Sequence, residues 1–412
     1  MTVGKAWRKR MKWTSINQDL QKENNISVVM HALRANDRCT RTALSELTGL
    51  TQATITKIVG QLIDWGAVSE IDSIGGGVGR RAICLHLNTE KYLVAAVRIN
   101  RKYINLAVYD MDGRLYDMEQ LQISFLDGVQ GSMERLIARL REMLGRVRLP
   151  VQSIGVAVPG PFNYRTGRIS LMSGFSGWNE IDIKGRLESA FALPVYVDQD
   201  ANCGALAELW FAESESASDM LFICADRGIG AGLILNSSLY RGAKGFAGEF
   251  GHASINVFGP RCECGNRGCL ELYGSTTALE STYRQEIFDP LQPSSVPEHV
   301  SSQEIMALVR AGDPVACRAY SKTVGYLGVG VVGLINALNP SEVVFSDKLI
   351  QGGELFLEVI RATLRQYLLA ETLEGMRVKV CELDGDPMLL GASVMAFDEM
   401  LRNPLTFFKP RA

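Results

Sequence analysis

Between residues 24 and 36, apolar side chains recur at Ile26, Val29, Met30 and Leu33, the three-to-four spacing of one helix face. A second periodic stretch follows Thr40, a residue suited to cap a helix, with Ala43, Leu44 and Leu47 as its apolar positions. Gly49 supplies the left-handed turn that joins two helices. Thr51 then caps a third helix, with Ile55, Ile58, Val59 and Leu62 facing inward. After Trp65-Gly66 the period drops to two. Val68–Ile71 and Ala82–Leu87 read as paired strands joined by the glycine-rich segment Gly75–Arg81. From Lys91 onward strand patterns alternate with helical ones. Strands are expected at Leu93–Ile99, Ile104–Asp110, Val151–Val158, Val195–Val197, Leu221–Ala225 and Gly232–Leu235. A helix is expected from about Ala201 to Phe211. The apolar stretch around Gly325–Leu338 is broken by glycines and ends in Asn339-Pro340. It reads as a buried helix, because a bilayer span needs about 18–20 apolar residues.

The pattern predicts three helices and a basic wing over residues 16–88, a winged helix-turn-helix, followed by an α/β body of two lobes with a cleft between them. A helical adaptor bundle with a hairpin is the competing reading of the first part. On the third helix Thr51, Gln52, Thr54, Thr56 and Lys57 form the polar face, short or basic groups able to reach base edges and phosphates from the major groove. Arg41 on the second helix joins them as a DNA contact, and Arg80 and Arg81 in the wing suit a minor groove.

Charge sharpens that division. Of the 412 residues, the first 88 hold 12 Lys and Arg against 7 Asp and Glu, while the rest hold 31 against 38. A basic module on an acidic body suits a polyanion at one end. The basic start of the chain is followed by no apolar segment of a secretory signal, so a cytoplasmic location with no membrane contact is expected. Nine cysteines, an odd number in such a chain, argue against a disulfide framework.

Three patterns in the body carry chemistry. Asp198-Gln-Asp-Ala-Asn202 places carboxylates at a strand end, where they suit sugar hydroxyls or a general base, although acidic helix caps are common. Gly228-Ile-Gly-Ala-Gly232 allows backbone N–H groups near a phosphate or sugar, or makes a tight hairpin. His252 with Cys262, Cys264 and Cys269 supplies one imidazole and three thiolates, the donor set of a structural zinc ion; three free thiols in a turn is the alternative.

With these residues quoted, the chain resembles the ROK family (repressors, open reading frames and kinases) over roughly residues 16–400. Gly251-His252, Cys262, Cys264-Gly265, Gly268-Cys269 and Leu270-Glu271 match its zinc signature; Gly228, Gly230, Gly232, Gly242, Gly248 and Glu249 match its other signature. Thr56–Val59 and Gly79–Arg81 are similar to the family's glucose and N-acetylglucosamine repressors. The resemblance implies an actin-like, ribonuclease H-like fold with a first lobe at residues 90–200, a second at 201–385, and a final helix near 386–402 returning to the first. It implies sugar contacts from Asp200, which would be the vestigial base, and from Glu249, His252 and Glu271. His252 would bind zinc through one ring nitrogen and sugar through the other.

The departures from the family's kinases are informative. Where their first phosphate loop reads D-x-G-G-T, this chain has Arg98, Asn100, Arg101 and Lys102. G-T-G-I-G becomes Asp226-Arg-Gly-Ile-Gly230, and Ser346-Asp347-Lys348 stands where a glycine run is expected. A cation cannot organise Mg2+ as a carboxylate does, so kinase activity is expected to be lost. Two sugar-side asparagines fall on Gln199 and Gly174, which alters specificity. The expected function is a sugar-responsive transcriptional regulator, a repressor, acting on double-stranded operator DNA as a homodimer or homotetramer. A sugar kinase with a DNA-binding appendage, or a regulator controlled by a protein partner such as a sugar-transporter subunit, are the alternatives.

Overall fold

The computed structural model describes residues 18–36, 38–72, 83–123, 128–163, 167–169, 177–212, 218–288 and 299–410. They form two compact units, residues 1–92 with 397–412, and residues 93–396.

In the first unit, helix α1 (Gln18–Ala35) buries Ile26, Val29, Met30 and Leu33, as its periodicity requires. Helix α2 (Arg41–Thr48) begins where the Thr40 hydroxyl accepts the Ala43 N–H and ends at Gly49, whose φ of 69° is costly for residues with a Cβ. Leu44 is buried. Leu47, expected beside it, is instead 57% exposed, because one side chain fills the space an eight-residue helix offers between its neighbours. Helix α3 (Gln52–Asp64) is capped by Thr51 and buries Ile55, Ile58, Val59 and Leu62. Strands β1 (Val68–Asp72) and β2 (Ile83–Leu87) pair antiparallel. The segment joining them, with Arg80 and Arg81, lies outside the described residues. His31 of α1 is 3.0 Å from an Asp398 carboxylate oxygen through Nε2, while its Nδ1 is 2.8 Å from the Ser27 carbonyl.

The second unit contains two five-stranded sheets of the same design. The first takes β3 (Leu93–Ile99), β4 (Tyr103–Asp110), β5 (Leu115–Gln122), β6 (Val151–Val158) and β9 (Val195–Gln199) in the order β5-β4-β3-β6-β9. A small hairpin, β7 (Phe162–Asn163) and β8 (Arg168–Ile169), interrupts the numbering. The second sheet takes β10 (Met220–Ala225), β11 (Ile229–Leu235), β12 (Ser238–Leu239), β13 (Glu342–Ser346) and β14 (Arg377–Val380) in the order β12-β11-β10-β13-β14. In each, the first three strands in sequence are antiparallel neighbours and the last two join in parallel. This repeated mixed topology is the actin-like architecture. The central strands β3 and β10 are buried at every position, which is why they read as continuous apolar runs rather than alternating ones.

Helices cover the sheets. Helices α4 (Gly128–Arg146) and α5 (Ile183–Phe191) contribute Met133, Leu136, Leu140 and Leu187 to the core of the first sheet. Helix α6 (Asp200–Phe211) follows β9 directly, so Asp200 is the first residue of a helix rather than the last of a strand. Short α7 (Glu271–Gly274), then α8 (Thr276–Ile287) and α9 (Ser302–Arg310) precede α10 (Pro314–Leu338). That last helix starts at the Asp313 cap with proline in its first turn and ends at Asn339, φ 45°. It is the one described helix long and apolar enough to cross a membrane, and its inner face, from Ala316 to Ile335, fills the core of the second sheet. Helices α11 (Glu354–Tyr367) and α12 (Ala370–Leu373) close that side. Helix α13 (Pro387–Arg402) packs Leu389, Ala392 and Met395 against Ala96, Ala107 and Ala157 of the first sheet; short α14 (Pro404–Phe407) follows.

Candidate functional site

The D-Q-D motif sends its two carboxylates to different work. Asp198 is buried and fully engaged: it accepts the Gln199 N–H at 2.7 Å, Asn202 Nδ2 at 2.8 Å and Arg241 Nε at 2.6 Å. Asp200, one α6 turn onset later, is the one that lines the cleft. Burial raises its carboxyl above the ordinary range, opposed by Arg98 and by the Ala201 N–H, which its Oδ1 accepts at 2.8 Å. Glu249 stands on the same wall. Burial, reinforced by Asp200, pushes its carboxyl up to about 8. Gln199 donates through Nε2 to Glu249 Oε1, and its own Oε1 is buried with no hydrogen-bond partner. A buried orphan acceptor costs free energy until a donor reaches it, and a ligand hydroxyl is such a donor.

Gly160 makes room for this pair. A Cβ there would lie 1.9 Å from Gln199 Nε2 and 2.6 Å from Glu249 Oε1, so a larger residue would have to push these two side-chain ends apart. Opposite, Glu271 at the start of α7 accepts the Ile229 N–H at 3.2 Å. Asp200, Glu249, His252 and Glu271 therefore share the lining of one cleft, of about 70 Å³ in this conformation, together with Gln199. Gly174 lies outside the described residues.

His252 also belongs to a cluster with Cys262, Cys264 and Cys269, whose ligand atoms all lie within 4.8 Å of one another. Cys264 Sγ is 3.6 Å from Cys269 Sγ, and Cys262 Sγ is 3.8 Å from His252 Nδ1. Tetrahedral coordination with metal–sulfur bonds of about 2.3 Å places sulfur atoms about 3.8 Å apart. The donors present fit such an ion, and Nδ1 is the nitrogen turned to it. Nε2 is then the nitrogen not facing the cysteines, in a residue that also lines the cleft.

The side where a nucleotide would enter is built differently. Arg98, 4% exposed, donates from Nη1 to Asp386 Oδ1 at 2.9 Å and from Nη2 to Asp347 Oδ2 at 3.2 Å. Burial alone would lower its pKa, but the two carboxylates hold it charged. Asp386 also accepts Asn105 Nδ2 at 2.9 Å. Asp226, expected to repel phosphate, is matched by Lys348 Nζ at 3.1 Å and by the Thr276 hydroxyl at 3.0 Å. The residues at the three departures from the kinase pattern are thus tied to one another across the cleft. Asp386 was missed from sequence; only its place just before a helix marked it, and its partner is 288 residues away.

On the first unit, Gln52, Thr56 and Lys57 are exposed along α3. Thr51 and Thr54 are joined by their hydroxyls at 2.9 Å, and the Thr56 hydroxyl donates to the Gln52 carbonyl. Arg41 is paired with Glu70 at 2.6 Å.

The model of the ROK family matches residues 94–399. The xylose repressor of Caldicellulosiruptor bescii is 29% identical over 403 residues, covering 94% of this chain and 99% of the relative. Among solved structures, a ROK family transcriptional regulator described as a homologue of the E. coli MLC protein superposes with a TM-score of 0.80 at 26% identity, covering 94% of this chain and 98% of its own. A ROK family glucokinase from Streptomyces griseus, solved with glucose and AMPPNP, gives 0.66 at 26% identity over 74% of this chain and 98% of its own. Its span falls short of this chain by about the length of the N-terminal unit.

Proposed function

We propose that this chain, which belongs to the ROK family, is a cytoplasmic transcriptional repressor that reads operator DNA and responds to a sugar or sugar derivative without phosphorylating it. The carrying observation is the pairing of buried Arg98 with Asp347 and Asp386, where a kinase must admit phosphates and a metal. Phosphoryl transfer needs Mg2+ bridging phosphate oxygens, and a guanidinium clasped by two carboxylates occupies the ground that a metal-organising acid would hold.

The polyol side keeps its carboxylates, with Gln199 and Gly174 in place of two asparagines. Asp200, Glu249, His252 and Glu271 converge with Gln199, and its buried orphan oxygen supports hydroxyl recognition. Residues His252, Cys262, Cys264 and Cys269 would hold zinc, whose contribution is structural, fixing the ring orientation of His252. Residues 16–88 serve as the winged helix-turn-helix, with Arg41, Thr51, Gln52, Thr54, Thr56, Lys57, Arg80 and Arg81 toward DNA. Residues 90–200 with 386–402, and 201–385, serve as the two lobes. A homodimer or homotetramer supplies the paired readers that half-sites require. Sugar regulates by binding two states of the protein unequally.

The test uses full-length protein. DNA recovered by in vitro selection is bound with and without pentoses, hexoses and amino sugars, and ADP release is followed in a coupled assay with the same sugars. The expected result is a sugar-dependent change in DNA affinity with no sugar-dependent ADP. Sugar-dependent ADP release abolished by Asp200→Asn would establish a kinase instead, and DNA affinity indifferent to every sugar would remove the sensor reading.

A further inference from the structure

Asp347, the residue after β13, has φ 74° and ψ −158°. That conformation is glycine's: Gly353, with φ 85° and ψ −152°, shares it. Ala192 and Asn339 also have positive φ, but their ψ values of 33° and 57° belong to the ordinary left-handed region. A residue with a Cβ keeps the Asp347 conformation only when its surroundings fix it there. Phe345 and Ser346 are buried on one side of it. On the other, Leu349 is buried and its carbonyl accepts the Tyr320 hydroxyl at 2.5 Å. Glycine would make the same turn without strain, so what aspartate adds is a carboxylate.

That carboxylate crosses from one sheet to the other. Arg98 belongs to β3 of the first sheet and Asp347 to the end of β13 in the second, and their 3.2 Å ion pair joins the two. The other partner of Arg98 makes no such crossing. Asp386 accepts the Met388 and Leu389 N–H groups at the start of α13, which packs on the first sheet. Beside Asp347, Lys348 Nζ lies 5.9 Å from the ring centre of Tyr103 on β4, a second contact between the sheets. The polyol cleft is also built from both. Gln199 ends β9 and Gly160 follows β6 in the first sheet, whereas Glu249, His252 and Glu271 come after the second-sheet hairpin of β11 and β12. Groups from two sheets grip one ligand best when the sheets are already held at the right distance, because the ordering cost is then met before the ligand arrives.

We propose that Asp347 and Arg98 form a built-in clasp between the two sheets, standing where a nucleotide would enter, so that the cleft holds its closed form with no second ligand. The clasp regulates the polyol site proposed above and rests on that reading for its effect on sugar. Asp347 is a positioning residue: it acts on the sugar through the spacing of the walls. Releasing it from Arg98 lets the sheets separate and lowers affinity on the polyol side.

Three variants of the full-length protein test it. Asp347→Gly removes the carboxylate and relieves the backbone, so the fold is not put at risk. Asp347→Asn keeps the shape without the charge. Asp386→Asn takes an equal charge from Arg98, keeps a side chain able to cap α13, and leaves the pair that crosses between the sheets. Each is titrated calorimetrically with xylose, glucose and N-acetylglucosamine, and its amide hydrogen exchange is followed without sugar. A sugar that binds the unaltered protein should bind Asp347→Gly about tenfold more weakly or worse, Asp347→Asn at an intermediate level, and Asp386→Asn within about threefold of the unaltered protein. Exchange in Asp347→Gly should quicken on both walls, at residues 98–104 and at residues 246–252. Sugar affinity unchanged in Asp347→Gly would overturn the clasp. So would an equal loss in Asp386→Asn, which traces the effect to charge around Arg98 rather than to a bridge. If none of the three sugars binds the unaltered protein, the polyol reading fails and exchange alone decides the clasp: quickening on both walls supports it, and quickening confined to residues 346–349 overturns it.

Discussion

Replacing Arg98 by methionine removes the cation and keeps most of the stem. Its guanidinium sits 2.9 Å from Asp386 and 3.2 Å from Asp347, with side-chain exposures of 5, 12 and 11%. At about 3 Å and an effective dielectric near 20, each attraction is worth about 5 kcal/mol before desolvation is subtracted. Breaking a buried pair by removing one partner typically costs about 3–5 kcal/mol, because the remaining charge is stranded. Here two carboxylates are stranded, with Asp200 nearby. Asp347 already titrates at about 6 in the intact protein, since burial outweighs Arg98. A carboxyl raised in the folded state contributes stability that is present below its ordinary value and lost as pH rises through the folded one. Without Arg98 that upper limit moves further up, so the penalty for Arg98→Met is larger at pH 8 than at pH 5.5. Thermal melting by circular dichroism should show a fall of roughly 5–8 °C at pH 8 for a loss of this size, and clearly less at pH 5.5. Adding Asp347→Asn and Asp386→Asn should recover most of it, because an uncharged cluster strands nothing. A fall under about 2 °C that is equal at both pH values would show that Arg98 is not the compensating charge.

Other outcomes follow from the same geometry. Glu249→Gln removes a carboxyl held near 8, whose stabilising protonated form is complete below about 4.5 and lost as pH rises through 8; the variant should escape up to about 5 kcal/mol of that loss, seen as a flatter melting-temperature profile between pH 5 and 9. Elemental analysis should find one zinc per chain, and Cys262→Ser with Cys269→Ser should abolish it and weaken sugar binding at least tenfold; full metal-free sugar affinity would separate the cluster from the cleft. Lys57→Ala, on an exposed face of α3, should leave melting unchanged, weaken DNA binding on all sequences alike and reduce the salt slope by about one, whereas an unchanged slope in anisotropy titrations would take Lys57 off the phosphates.

What the sequence revealed, and what it withheld, follows the range of the forces involved. Caps, turns and amphipathic faces are local, so Thr40, Gly49, Thr51 and the inward residues of α3 were legible, as was the His252 and cysteine cluster whose spacing is short. That Asp200, Glu249, His252 and Glu271 share one cleft was suggested by resemblance, but only the fold shows that Asp198 is consumed by Arg241 and Asn202 while Asp200 faces the cleft. Leu47 misled because a helix of eight residues need not bury every apolar position. The ion pairs of the nucleotide side were the hardest to read, since Arg98, Asp347 and Asp386 are joined across 249 and 288 residues. Taken singly, the Arg98 and Asp226 substitutions looked like two unrelated losses: a cation set among phosphates and an acid set against them. In the fold each meets an opposite charge, Asp347 and Asp386 for the first and Lys348 for the second. Burying any one of these charges alone would be costly, so the cluster is stable only with its partners in place. A single replacement, Arg98→Asp, would therefore add a fourth acid beside Asp200, Asp347 and Asp386, and would destabilise the body.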